Sequence, residues 1–126
     1  MKIKVDTKEK LSVLRLQETL FSENMAEELF IVAANLLQQP HKNMVVDFAN
    51  VTAAEQTALP ALADLYQKAT ENNASFVLCN INAPIKKLLH KLDLSDVLNT
   101  APTESEACDM VHMEEMEREM WSNSAS

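Results

Sequence analysis

Cys108 and His112 stand four residues apart in a stretch of helical spacing, so both side chains can approach one metal ion from a single face. Two ligands do not complete a tetrahedral site, and no third or fourth stands at a suitable spacing. A small apolar Cys beside a solvated His is the expected state, and no metal is assigned. His41 follows Pro40 and reads as a loop residue. His90 lies among Lys86, Lys87 and Lys91 on a solvated basic face, and Cys79 alternates with Val77 in an apolar run and reads as core. No Ser, His and Asp occur in an order with supporting context, and no carboxylate pair has a reason to be catalytic. The chain contains no glycine, which removes phosphate-cradling loops and the sharp turn of an EF-hand. The expectation is a non-enzymatic protein with no cofactor.

Thr57 has a more informative setting. Thr52-Ala53-Ala54-Glu55 fits a capping box that would start a helix at Ala53, but Pro60 opposes it. Proline beyond the first helical turn costs ~3 kcal/mol or more, against ~1 kcal/mol for a cap. The helix is therefore expected to start no earlier than Gln56 or Thr57. That places the Thr57 hydroxyl among unpaired backbone N–H groups at the positive end of the helix dipole, either as an ordinary cap or as an acceptor of phosphate.

The elements that position these residues follow from periodicity. Ile3 and Val5 alternate with charged residues, and Leu11–Leu16 forms the second arm of a hairpin across Lys8-Glu9-Lys10. From Ser22 or Asn24 the spacing of Met25, Leu29, Val32, Ala33 and Leu36 predicts a helix ended by Pro40. Met44–Phe48 and Ser75–Asn80 are short buried strands. Leu59, Leu62, Ala63, Tyr66 and Ala69 line a helix closed by Asn72-Asn73. Pro84 opens another through Ile85, Leu88, Leu89 and Leu92. A brief strand near Asn99–Ala101 precedes a last helix opened by the capping box Thr103/Glu106. Turns that need positive φ are expected at Asn43, Asn72, Asn73, Asn82 and Asn99. This order is α/β, with parallel strands joined by covering helices.

The net charge of −8 disfavours a nucleic-acid partner. Two cysteines make no secreted disulfide framework, and a reducing, cytoplasmic compartment is expected. Charge interrupts the N-terminal apolar residues, unlike a signal peptide. No run approaches the ~20 apolar residues of a membrane span. The charge is concentrated: Glu104, Glu106, Asp109, Glu114, Glu115, Glu117 and Glu119 face one base, Arg118, in the last helix.

The run Met44-Val45-Val46-Asp47-Phe48-Ala49-Asn50-Val51-Thr52, followed by Glu55-Gln56-Thr57-Ala58-Leu59-Pro60-Ala61-Leu62, resembles the central signature of STAS domains, the anti-sigma-factor antagonist family. There a buried strand ending in Asp-Leu leads to Asp-Ser-Ser-Gly-Leu-Gly at a helix start. The hairpin, the Phe76–Asn80 strand, the Pro84 helix with its Leu92-Asp93-Leu94 ending and the final helix also fall where that family has them. The resemblance implies a mixed sheet of four to five strands covered by four helices, and a protein-binding role. In partner-switching members the second Ser is phosphorylated by a kinase anti-sigma factor, and only the unphosphorylated antagonist binds that kinase. Thr57 occupies that acceptor position. Glu55 stands for the Asp, Gln56 for the first Ser, and Ala58 and Pro60 for the two glycines.

The resulting expectation is a single STAS-like domain over 1–121, its acidic helix spanning 103–121, with a disordered tail at 122–126. It docks an anti-sigma factor or serine/threonine kinase-like protein through Glu55, Gln56, Thr57, Ala58, Leu59 and Pro60, with Thr57 as the phosphorylation candidate. The alternative is a constitutive accessory subunit of a signalling or lipid-transport complex. Met113, Met116 and Met120 with Trp121 are interleaved with glutamates past the usual domain end, an adaptable face for a partner or for a dimer.

Overall fold

The structure, a computed structural model, describes the backbone of residues 2–124 and the side chains of 2–121. The hairpin forms from β1 (Ile3–Lys8) and β2 (Leu11–Leu16), joined by Glu9-Lys10. A two-residue strand, β3 (Leu20–Phe21), leads into α1 (Glu23–Leu36). There follow β4 (Asn43–Asp47), a second short strand β5 (Ala53–Ala54), α2 (Pro60–Glu71), β6 (Phe76–Cys79), α3 (Ala83–Lys91), β7 (Asn99–Ala101) and α4 (Glu104–Ser124). The main sheet has the order β1-β2-β4-β6-β7, with β1 antiparallel and the remaining neighbours parallel. This is the expected mixed sheet of five strands with four helices. The pair β3–β5, a separate parallel ribbon, was not expected, because two residues carry no readable period.

Alternation along the strands sorts two apolar layers. Leu14, Leu16, Met44, Val46, Phe76 and Leu78 point to the face covered by α1, α2 and α3. Val13, Val45, Val77 and Cys79 point to the other, where Ala107 and Val111 of α4 cover them. The crossovers all step in one direction across the sheet, so they share a face and leave the second to α4.

Polar contacts pin α4 at both ends. Near its start, the Arg15 guanidinium donates to Glu104 and Asp6 and to Asp47 at 3.2 Å. Farther along, Arg118 donates to Ser75 Oγ (3.2 Å), Asn43 Oδ1 (3.0 Å) and Glu115 (2.6 Å), while Asn43 Nδ2 donates to Glu115 (3.0 Å). Thr103 Oγ1 accepts from the Glu106 N–H, as the capping box requires. The helix continues to Ser124, where an end at Trp121 and a tail over 122–126 were expected, since extending a formed helix is cheap. Residues 125 and 126 lie outside the described residues.

Without glycine, left-handed backbone falls on Lys10, Asn73, Asn80 and Asp93. Of the asparagines expected there, Asn73 alone is confirmed. Asn82 instead caps α3 by accepting from the Ile85 N–H, Asn72 donates to Lys68 O, and Asn43 and Asn99 are strand residues. Asn73 and Asp93 each sit one residue past a helix cap in the same motif. The next amide bonds back to the helix, Ala74 N–H to Ala69 O and Leu94 N–H to Leu89 O, both at 2.8 Å.

Two predictions follow from these features. Asp93 is exposed, and a Cβ in the left-handed region is disfavoured, so Asp93→Gly is expected to raise unfolding stability by about 0.5–1 kcal/mol in urea titration. At Glu115, burial opposes ionisation, but Asn43 and Arg118 favour the carboxylate more and lower its titration below the ordinary value. That contribution is complete above the unfolded value and is lost as pH falls through the lower folded one. Glu115→Gln is expected to flatten the acid-side loss of stability, measured as the urea midpoint against pH.

Candidate functional site

The β3–β5 ribbon brings two helix starts together. Leu20 pairs with Ala53 and Phe21 with Ala54, and the Phe21 ring lies 5.4 Å from that of Phe48, which anchors the ribbon to the core. The chain then reaches Glu55, whose N–H donates to Phe21 O and whose carboxylate accepts from the Glu23 N–H, both at 2.9 Å. Ser22 Oγ accepts from the Met25 N–H, so two side chains satisfy the start of α1. Glu55 thus reaches across from the following crossover to hold the helix before it.

Residues 56–59 form a turn, with Ala58 N–H donating to Glu55 O (3.0 Å) and Leu62 N–H to Leu59 O (3.0 Å). The helix proper begins at Pro60, where a missing N–H costs nothing, and Leu59 ahead of it already has helical φ and ψ. The capping-box start at Ala53 does not form; Ala53 and Ala54 are strand. Thr57 lies a turn ahead of Pro60 rather than in the helix. Its hydroxyl caps nothing, since α2 has no side-chain cap, and it is exposed with no hydrogen-bond partner among the described residues. The plain N-cap role is therefore corrected.

Glu55, Gln56, Thr57 and Pro60 are exposed, but Ala58 and Leu59 are buried, Leu59 completely. Leu59 cannot offer its side chain to a partner and serves as the anchor that turns Thr57 outward, while Ala58 contributes only to the lining of an adjoining groove. Thr57 borders a groove of about 240 Å³ between the starts of α1 and α2. Ala26, Ala58, Ala61 and Phe30 line it, with Glu23 and Glu27 at the rim. The α1 contribution was not foreseen, because it joins residues some thirty positions apart. Its one sequence trace is Phe30, a large apolar residue outside the Met25/Leu29/Ala33 stripe.

Among the described residues, no group of three or more His, Cys, Asp or Glu side chains could hold a metal ion. Burial above all, then the negative charge of Asp47 and Glu104, pushes the Cys79 thiol up to about 12. Burial likewise raises that of Cys108. Both are protonated at neutral pH and poor nucleophiles. No helix of the described residues is long and apolar enough to cross a membrane.

A family model, the STAS domain, matches residues 2–107. The chain belongs to the STAS domain family. Solved structures agree at the level of fold. A Thermotoga maritima protein described as an anti-sigma factor antagonist aligns with a TM-score of 0.76, covering 87% of this chain and 94% of its own at 14% identity. The Bacillus cell-fate determinant SpoIIAA in its phosphorylated form aligns at 0.65, covering 86% and 98% at 15% identity. A sulfate transporter family protein from Wolinella succinogenes aligns at 0.74, covering 86% and 90% at 12% identity. A comparison with curated proteins gives no match. Within the STAS match, Thr57 and its groove fall in the middle, whereas α4 beyond Ala107 lies outside it.

The Glu55 contact yields a prediction. Glu55→Ala is expected to cost about 0.5–1 kcal/mol, the worth of a helix cap, and to speed hydrogen exchange at the Glu23 amide. Glu55→Gln, which keeps an acceptor, is expected to lose less. Denaturant titration and amide exchange measure both.

Proposed function

We propose that this STAS domain is a non-enzymatic, cytoplasmic regulator that docks another protein at the exposed start of α2. The contact surface is Glu55, Gln56, Thr57 and Pro60 together with the α1–α2 groove. The partner is an anti-sigma factor or a serine/threonine kinase-like protein, and phosphorylation of Thr57 releases it. One observation carries this reading: the hydroxyl at the family's acceptor position is solvent-exposed and has no structural bond to make among the described residues.

The physics of the switch is electrostatic. Phosphate adds about −1.5 to −2 charges beside Glu23, Glu27 and Glu55. A partner surface matched to a neutral hydroxyl then faces desolvation and repulsion.

A second reading, the constitutive accessory subunit, draws support from Ala58 and Pro60. They remove the two glycines of the family pattern and make the docking surface rigid. The fold likeness to a sulfate transporter family protein is compatible with it.

Capture of the partner from native lysate, with and without phosphatase, and phosphosite mapping by mass spectrometry separate the two. The switch predicts phosphate on Thr57, capture by Thr57→Val, and affinity for Thr57→Glu reduced by about tenfold or more. Modification elsewhere, or capture indifferent to phosphatase and to Thr57→Glu, removes the switch and favours the accessory subunit.

A further inference from the structure

α4 is apolar on two opposite sides. Ala107 and Val111 face the sheet with no exposed surface. Met113, Met116 and Met120, at spacings of three and four, form a stripe on the far side and are 62%, 62% and 67% exposed. Trp121, next to Met120 in sequence and about a quarter-turn around the helix from it, is 76% exposed. The sheet-facing side is fixed by Arg118 and Glu115 on Asn43 and Ser75, so the helix cannot roll to bury the stripe without breaking those bonds. A helix with a second apolar stripe has a second surface to cover. The stripe also lies outside the residues matched to the STAS family, so the family fold does not account for it.

The rim identifies what covers it. Glu106, Asp109 and Glu117 flank the methionines at helical spacing, are exposed, and make no ion pair among the described residues. Arg118, the base of this helix, is turned to the sheet. A second copy of the same stripe would set these carboxylates against their own duplicates, and an anionic lipid surface would repel them. A cationic amphipathic helix satisfies both features: its apolar side chains meet flexible methionines that adapt to their shape, and its Lys or Arg residues meet the acids. We propose that the Met113/Met116/Met120 face of α4, with Trp121 at its edge, binds a basic amphipathic helix of a partner protein, independently of the Thr57 surface.

Trp121 is the single tryptophan of the chain and adjoins Met120, so a helix seated on the stripe changes its surroundings. The full chain is titrated with a synthetic Leu/Lys amphipathic helix while Trp121 emission is followed. The expected result is a saturable blue shift, weakened by salt, and none with the Leu/Glu counterpart. The triple variant Met113→Gln, Met116→Gln, Met120→Gln is expected to keep its far-UV circular dichroism and melting temperature, because those side chains face solvent. It is expected to lose affinity by about tenfold or more.

Four results overturn the proposal. They are no shift with the cationic helix, undiminished binding by the triple variant, a concentration-dependent dimer that the triple variant abolishes, and a shift on phosphatidylglycerol vesicles in place of the peptide.

Discussion

Asp47 is a nearly buried carboxylate at the end of a central strand, and such a charge is tolerated only when its oxygens are fully engaged. It accepts from Arg15, from the Ala49 N–H at 2.9 Å and from the Asn80 amide at 2.9 Å. Those three partners lie on β2, on the loop leaving β4 and just after β6. A single acid thus fixes the ends of three adjacent strands and the direction in which the chain departs toward Phe48 and Val51. Arg15, recruited to neutralise it, has surplus donors that take Glu104 and Asp6. The start of α4 and the edge strand are held through the same guanidinium, whose proton is bound more firmly than in free arginine. The α2 entry and the α4 placement both trace back to this pairing.

The absence of glycine shapes the site as much as any residue present. A loop with two glycines just after the hydroxyl can change shape; here Ala58, Leu59 and Pro60 cannot follow. Leu59 is sunk in the core, Pro60 fixes the first helical φ, and the 56–59 turn is closed by a backbone bond from Ala58 to Glu55. Glu55 is immobilised in turn by the α1 amide that it caps. Thr57 is therefore presented on a preformed surface, and recognition there requires little ordering of this chain.

The strand and helix order was legible because the apolar periods are clean: Val13/Val45/Val77 on one face, Leu14/Val46/Leu78 on the other, and the Met25/Leu29/Ala33 stripe of α1. Pro60 alone placed the α2 start correctly within one turn, since its penalty outweighs a competing cap. What escaped was non-local. The β3–β5 ribbon depends on backbone bonds between Thr19–Phe21 and Thr52–Glu55, and the cap from Glu55 to Glu23 spans the same gap. Neither has a local signature. The positive-φ positions escaped for a related reason. Asn43 and Asn82 serve as side-chain hydrogen-bonders in a strand and at a helix cap, and the left-handed backbone falls on Lys10, Asn73, Asn80 and Asp93, where the turns themselves lie.

The two exposed surfaces share a sign but not a shape or a side. Thr57 lies with α1 and α2 on one face of the sheet, beside a concave groove edged by Glu23 and Glu27. The methionine stripe is the convex outer side of α4, on the opposite face. Helix and sheet layers pack about 10 Å apart, so on the order of 20 Å separates the two, about twice the Debye length at physiological salt. A phosphate placed on Thr57 dominates the field at its own groove and is largely screened before it reaches Glu106, Asp109 or Glu117. Occupancy of one face also leaves the other sterically open. The sheet therefore acts as an insulating layer: a charge added on the Thr57 face has little effect on the field around the acidic helix behind it.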